Sequence, residues 1–191
     1  MTMSPREEKV GVDLGLSPEE KSVLRHIARY TVENAAQGKT VAPSPSDSAK
    51  LNERYGAFVT LYKKGMLRGC IGTLESDKPL YQTVSDMAKA AALRDPRFRP
   101  VTPDELPYID LEISVLTPLE EIASPDEIKV GVHGLLISKG SRSGLLLPQV
   151  ASERNWDTIT FLEETCRKAG LPKDAWKEEG TRIYVFSADV F

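Results

Sequence analysis

Along this chain the apolar positions change period several times, and each change predicts an element. Leu24, Ile27, Ala28, Thr31 and Ala35 recur at helical spacing behind Ser17-Pro18-Glu19-Glu20. Ser17 suits the cap, Pro18 the first helical position and Glu20 the closure of a capping box, and Gly38 is placed to end the helix. The same start signal recurs at Thr102-Pro103-Asp104-Glu105 and Ser124-Pro125-Asp126-Glu127. Pro107 and a following strand limit these two to short turns of helix. Residues 56–62 alternate as a strand, Lys63-Lys64-Gly65 reads as a turn, and 66–74 reads as a second strand, so the two predict a hairpin. A helix starting at Asp77-Lys78-Pro79 carries Leu80, Val84, Met87, Ala88 and Ala91 on one face, and Pro96 stops it at Asp95. Residues 108–116 alternate most cleanly, with Ile109, Leu111, Ile113 and Val115 on one side and Asp110, Glu112 and Ser114 on the other. A second hairpin spans 134–147 and turns at Lys139-Gly140-Ser141. Asp157 caps a helix predicted to turn Ile159, Leu162, Cys166 and Ala169 inward, with Gly170 as its left-handed end. Residues 181–187 form a last strand. Hairpins mixed with helices predict an α+β fold, a mostly antiparallel sheet with flanking helices.

Length and composition narrow the function classes. The 191 residues suit a polar, partly disordered lead-in over 1–16 and a single domain over 17–191. With 28% charged residues and a net charge of -3, the chain lacks the basic excess of a duplex-binding surface, so no nucleic-acid partner is expected. No apolar run approaches the roughly 20 residues of a membrane span, so no membrane partner is expected either. The start of the sequence lacks the apolar segment of an export signal, and only two cysteines occur, so a reducing cytoplasm is the expected compartment. The two cysteines and two histidines do not have the spacing of a metal site, and no dinucleotide or phosphate-loop motif occurs; no cofactor and no metal are expected. Nothing in the sequence sets the oligomeric state.

The chemistry-bearing residues concentrate around Cys70. Strand alternation puts Arg68 and Cys70 on one face, and a guanidinium near a thiol favours the thiolate. Gly69 and Gly72 thin the side chains beside the sulfur, which admits a ligand or a neighbouring backbone. Cys70 reads equally as a small buried hydrophobe with glycines that serve packing. His133, between Gly131 and Gly134, is either the base that partners Cys70 or a loop histidine bonded to backbone. In the run Arg94-Asp95-Pro96-Arg97-Phe98-Arg99, Arg97 either presents a forked donor to an anion or joins Asp95 in tying down the loop. Glu112 lines a cleft or meets solvent. Gln149 follows Pro148 at a strand end, where it binds substrate or satisfies local backbone. Cys166 sits on an apolar helical stripe and reads as core packing, and His26 sits on a polar helix face and reads as solvated.

These segments together resemble a known family. LRGCIGTLE, AALRDPRF, EISVLTPLEEI, HGLLI, GLLLPQV and FLEETCRKAGL, the last followed by a tryptophan, are similar to the AMMECR domain family over about residues 20–188, and Leu67 to Gly72 matches its hallmark. The resemblance implies a compact α+β domain in two unequal lobes, with a cleft between them and the hallmark near it. It also implies a Memo-like protein and a radical SAM protein as partners. No cluster-binding C-x-x-x-C-x-x-C run is present in this chain. The resemblance implies no particular reaction. Two functions follow as expectations. In the first, the chain is an enzyme or enzyme component in which Cys70 is nucleophile or redox thiol, activated by Arg68 and His133, with Arg97 orienting a small anionic ligand. In the second, it is a binding or adaptor module for a partner protein or small ligand, contacted through Gly69, Gly72, Asp95, Arg97, Glu112 and Gln149. A nucleic-acid-linked regulator is the weakest expectation, given the acidic charge balance.

Overall fold

Helix α1 (Pro18–Ala36) begins where its capping residues require. The Ser17 hydroxyl accepts from the Glu20 N–H at 3.2 Å, and the Glu20 carboxylate accepts from the Ser17 N–H at 2.8 Å. A computed structural model of the chain describes residues 12–191. Chain contacts divide it into two compact units. The larger holds Leu14–Pro118 with Asp189–Phe191, and the smaller holds Leu119–Ala188 with residues 12–13.

In the larger unit, α1 packs on α2 (Leu80–Leu93), and both cover one face of an antiparallel sheet. The sheet has β2 (Met66–Thr73) at the edge, β1 (Ala57–Lys63) next and β3 (Ile109–Leu116) after it. The chain's last residues continue the sheet: Ile113 and Phe191 exchange both backbone hydrogen bonds, at 2.8 and 3.0 Å. The core draws Leu24, Ala28 and Val32 from α1, Val84 and Ala88 from α2, Val59 and Leu61 from β1, and Ile113 and Val115 from β3. Each is removed from water; burial is worth about 1.5–3 kcal/mol for each Leu, Ile or Val and about 0.8 kcal/mol for each Ala methyl. One polar pair lies inside, the hydroxyls of Thr31 and Ser85, 3.0 Å apart between the two helices. Leu16 is also buried here, so the end of the segment expected as a polar lead-in packs into the core; residues 1–11 of that lead-in lie outside the described residues. The start signal at Thr102 opens a short 3-10 turn, Pro103–Tyr108, that runs one residue past Pro107.

The smaller unit has its own antiparallel sheet, in the order β4 (Glu120–Ile122), β7 (Thr181–Val190), β5 (His133–Lys139), β6 (Arg142–Leu146). Two helices accompany it, α3 (Pro148–Glu153) and α4 (Thr158–Lys168). Its core holds Leu135, Ile137, Phe161, Leu162, Cys166 and Val185. Gly144 has no side chain because a Cβ there would stand 2.3 Å from the Ala169 amide nitrogen; the end of α4 lies directly on β6. The stripe of α4 differs from expectation at one position: Ile159 is exposed, while Leu162, Cys166 and Ala169 are buried. The strand β4 and the short helix α3 were not foreseen, because three residues and six residues are too short to establish a period. The α+β class, the antiparallel pairing and the flanking helices are as the sequence implies.

Candidate functional site

The site is built by an irregularity in the first hairpin. Lys63 pairs with Met66 and Tyr62 with Leu67, but Leu61 pairs with Gly69 and Thr60 with Cys70. Arg68 is therefore an extra residue, a β-bulge, with no partner on β1. A regular ladder would set Cys70 opposite Val59, a core residue. The bulge shifts the register by one, so Cys70 faces the same way as Thr60, and Thr60 faces Glu112 on β3. Cys70, Thr60 and Glu112 thus form one polar rung across three strands.

The thiol in this rung is half-buried. The Thr60 hydroxyl donates to Sγ at 3.3 Å. Burial pushes the Cys70 thiol up from its ordinary value, more strongly than the Thr60 hydrogen bond and the Arg97 charge pull it down; Asp95 and Glu112 add to the upward push. At neutral pH the group is a thiol rather than a thiolate.

Asp95 joins the strand edge to the loop after α2. It is 4% exposed, and its Oδ2 accepts from the Cys70 backbone N–H at 2.8 Å. That amide belongs to an edge strand and would otherwise lack a partner. The same carboxylate takes Arg97 in a fork, from Nε at 2.9 Å and Nη2 at 2.7 Å, and also accepts the Arg97 amide. Arg97, with the Cys70 amide assisting, holds the Asp95 carboxyl well below the usual carboxylate range. The Arg97 side chain remains about half exposed. Both readings of Arg97 thus meet in one residue, which ties down the loop and also presents a cation beside Cys70.

Arg68 departs from the expected pairing with Cys70. As the bulged residue it leaves the two-residue alternation, and its guanidinium turns to Glu105, with Nε at 3.0 Å and Nη2 at 2.8 Å. Glu105 also takes Lys63 at 2.8 Å and the Thr102 amide at 3.1 Å. Arg68 first and Lys63 next keep this carboxyl well below the usual range. The charges acting most on the thiol belong to Arg97, Asp95 and Glu112.

The glycines make room for the protein's own atoms. A Cβ on Gly69 would stand 2.4 Å from the Ala91 carbonyl oxygen, and one on Gly72 would stand 2.1 Å from the Phe58 ring. Gly69 lets the end of α2 rest on β2, and Gly72 seats Phe58. The space beside these two positions is filled by backbone and ring.

His133 and Gln149 belong to the smaller unit, whereas Cys70, Arg68, Asp95, Arg97 and Glu112 belong to the larger. His133 Nδ1 accepts from the Lys129 amide at 3.2 Å. Burial, and then the Lys129 charge, push its imidazole down, so it is neutral at pH 7. Gln149 is half-buried in the first turn of α3. Burial pushes the Cys166 thiol up within its core. Among the described residues no group of three or more His, Cys, Asp or Glu converges as a metal site requires. A separate groove of about 480 Å³, between α1 and residues 42–46, is lined by Val23, Ile27, Tyr30, Pro43 and Pro45 and shares no residue with the rung.

Sequence reasoning missed two partners, Thr60 and Glu105. Thr60 was hidden by the bulge, which no composition rule places. Glu105 was visible only as the last letter of a capping box, a role it also fills.

The hallmark segment, now placed on an edge strand with its bulge, can be set beside other proteins. The sequence matches AMMECR1 over residues 25–191. The chain belongs to the AMMECR1 family. A protein of Methanothermobacter thermautotrophicus is 48% identical over 183 residues, spanning 92% of this chain and 95% of the relative. One from Aquifex aeolicus is 44% identical over 175 residues, spanning 88% and 90%. The crystal structure of the uncharacterized protein PH0010 from Pyrococcus horikoshii is similar to this AMMECR1 chain with a TM-score of 0.82 at 43% identity, covering 87% of this chain and 88% of that one. The Pyrococcus horikoshii structure is similar in fold, and the names of these relatives carry no activity.

Proposed function

We propose that this chain is a binding module whose ligand meets the rung Cys70–Thr60–Glu112 beside the exposed cation of Arg97. The observation that carries this reading is the Arg97 guanidinium, fixed in a fork on the buried Asp95 carboxylate yet about half exposed. A nucleophilic cysteine needs thiolate character, and here burial outweighs Arg97 and keeps the proton on sulfur. Arg68 is committed to Glu105 instead of the sulfur. What remains for recognition is a half-exposed guanidinium fixed by a buried carboxylate. That arrangement orients an anionic group at low entropic cost, because the side chain is already held. The expected ligand is an anionic small molecule or an anionic group on a Memo-like or radical SAM partner.

Calorimetric titration with a Memo-like protein and a radical SAM protein from the same genome tests the reading. Arg97→Ala should weaken binding at least tenfold, and Cys70→Ser should change it less than threefold. An enzyme reading is favoured by one feature, the pull of Arg97 on the thiol. Loss of function on alkylation of Cys70 at pH 7, with binding retained by Arg97→Ala, would sink the binding module and restore the thiol chemistry.

A further inference from the structure

One end of the larger unit exposes apolar side chains that its core does not use. Met66 is 74% exposed, Tyr108 52% and Leu67 41%. Tyr108 lies against the hairpin turn, where the Lys64 amide donates to the Tyr108 carbonyl at 3.4 Å and the Lys64 ammonium lies 4.9 Å over the Tyr108 ring. Met66 and Leu67 leave the same turn opposite Lys63 and Tyr62. Arg68 extends the surface: its guanidinium lies 5.8 Å over the Phe98 ring and donates to the Pro100 carbonyl at 3.4 Å, and Arg99, between these two residues in sequence, is exposed. Isolated exposed apolar residues are ordinary, but several exposed around one hairpin end and flanked by cations fit an interaction surface.

The charge of this ridge decides its partner. Segments 62–68 and 94–110 carry six cations against four carboxylates, in a chain whose net charge is -3. Lys63 and Arg68 share one carboxylate, that of Glu105. Lys64 and Arg99 have no carboxylate partner among the described residues. The local sign is thus opposite to that of the whole chain, and Lys64 and Arg68 flank the exposed Met66 and Leu67 in sequence. Single-stranded nucleic acid prefers open aromatic faces, and the Tyr108 face is already occupied by Lys64. Strand addition at the β2 edge is blocked at Cys70, whose amide is taken by Asp95.

We propose that the ridge formed by Lys64, Met66, Leu67, Arg99 and Tyr108 docks an acidic, apolar-containing segment of a partner protein through side chains. The acidic groups meet Lys64 and Arg99, and the apolar ones cover Met66 and Leu67. This surface is distinct from the Cys70 rung and stands or falls without it.

The test is fluorescence anisotropy with the full chain and a labelled 12-residue peptide repeating Glu-Leu-Asp-Phe. A peptide with Lys in place of the acids and a 12-nucleotide single-stranded RNA serve as alternatives. The acidic peptide should bind, and raising salt should weaken it. The double variant Lys64→Glu/Arg99→Glu should bind at least tenfold more weakly, and Met66→Ser/Leu67→Ser at least fivefold, with melting temperatures close to the parent because these side chains are exposed. Lys173→Glu, a reversal on the smaller unit, should leave binding as it is. Absence of peptide binding, preference for the cationic peptide or the RNA, affinity indifferent to both double variants, or self-association that masks Met66 overturns the proposal.

Discussion

Cys70 is read from its sulfur outward. Its proton is held by burial, and two groups oppose that, the Thr60 hydroxyl and the Arg97 guanidinium. The pH dependence of iodoacetamide labelling should therefore have its midpoint above the ordinary thiol value of about 8.5. Because Arg97 favours the thiolate, Arg97→Ala should move that midpoint further up; a downward move would contradict the arrangement. Gly72 makes a second residue-scale prediction. Adding a methyl group there meets the Phe58 ring at 2.1 Å, so Gly72→Ala should destabilise by about 1–3 kcal/mol. Phe58→Leu in the same chain should recover part of that loss, measured as a coupling in denaturant unfolding. Gly69 faces a carbonyl oxygen instead of a ring, and no side-chain change can relieve Gly69→Ala.

At the scale of elements, the strand β2 is held by two buried carboxylates, Asp95 at the Cys70 amide and Glu105 at Arg68. Each has a folded-state pKa below its unfolded value. A group of this kind contributes stability that is full above the unfolded value of about 4 and is lost as pH falls through that value and below it. Glu105→Gln should cost on the order of 3 kcal/mol at pH 7, since it leaves Arg68 and Lys63 sharing a neutral partner. The same variant should flatten the decline of stability between about pH 5 and 2, checked by urea unfolding at several pH values. Much of this element pattern is legible in the sequence. The capping box at Ser17, the turn at Lys64-Gly65, the stop at Pro96 and the left-handed Gly170 all act through local chemistry, and local chemistry reads directly from neighbouring residues. The candidate site is less legible because one bulge re-indexes the hairpin. Alternation counted from Arg68 puts it with Cys70, and the extra residue separates them. The apolar pattern also ranked Glu112 and Ser114 alike, although Ser114 is buried and Glu112 is half-buried. Nothing in the period of a strand reports what covers its second face.

For the molecule as a whole, two cores among the described residues carry stability. Leu61 lies in one and Phe161 in the other, both fully buried. Leu61→Ala should cost about 2–5 kcal/mol and Phe161→Ala about 3–5 kcal/mol. Sharing no core cluster, their costs should add to within about 0.5 kcal/mol in the double variant, whereas a coupling above about 1 kcal/mol would mean the cores are not energetically separate. The final strand complicates any attempt to divide the chain. β7 serves the smaller sheet for most of its length, yet its last residues return to the larger unit, where Asp189 receives the Lys21 ammonium at 2.7 Å and Phe191 pairs with Ile113. During synthesis, then, residues 14–118 wait for residues 189–191 to follow them. Their sheet gains its Phe191 neighbour, and the first helix its ionic anchor at Asp189, only after those later residues have been made.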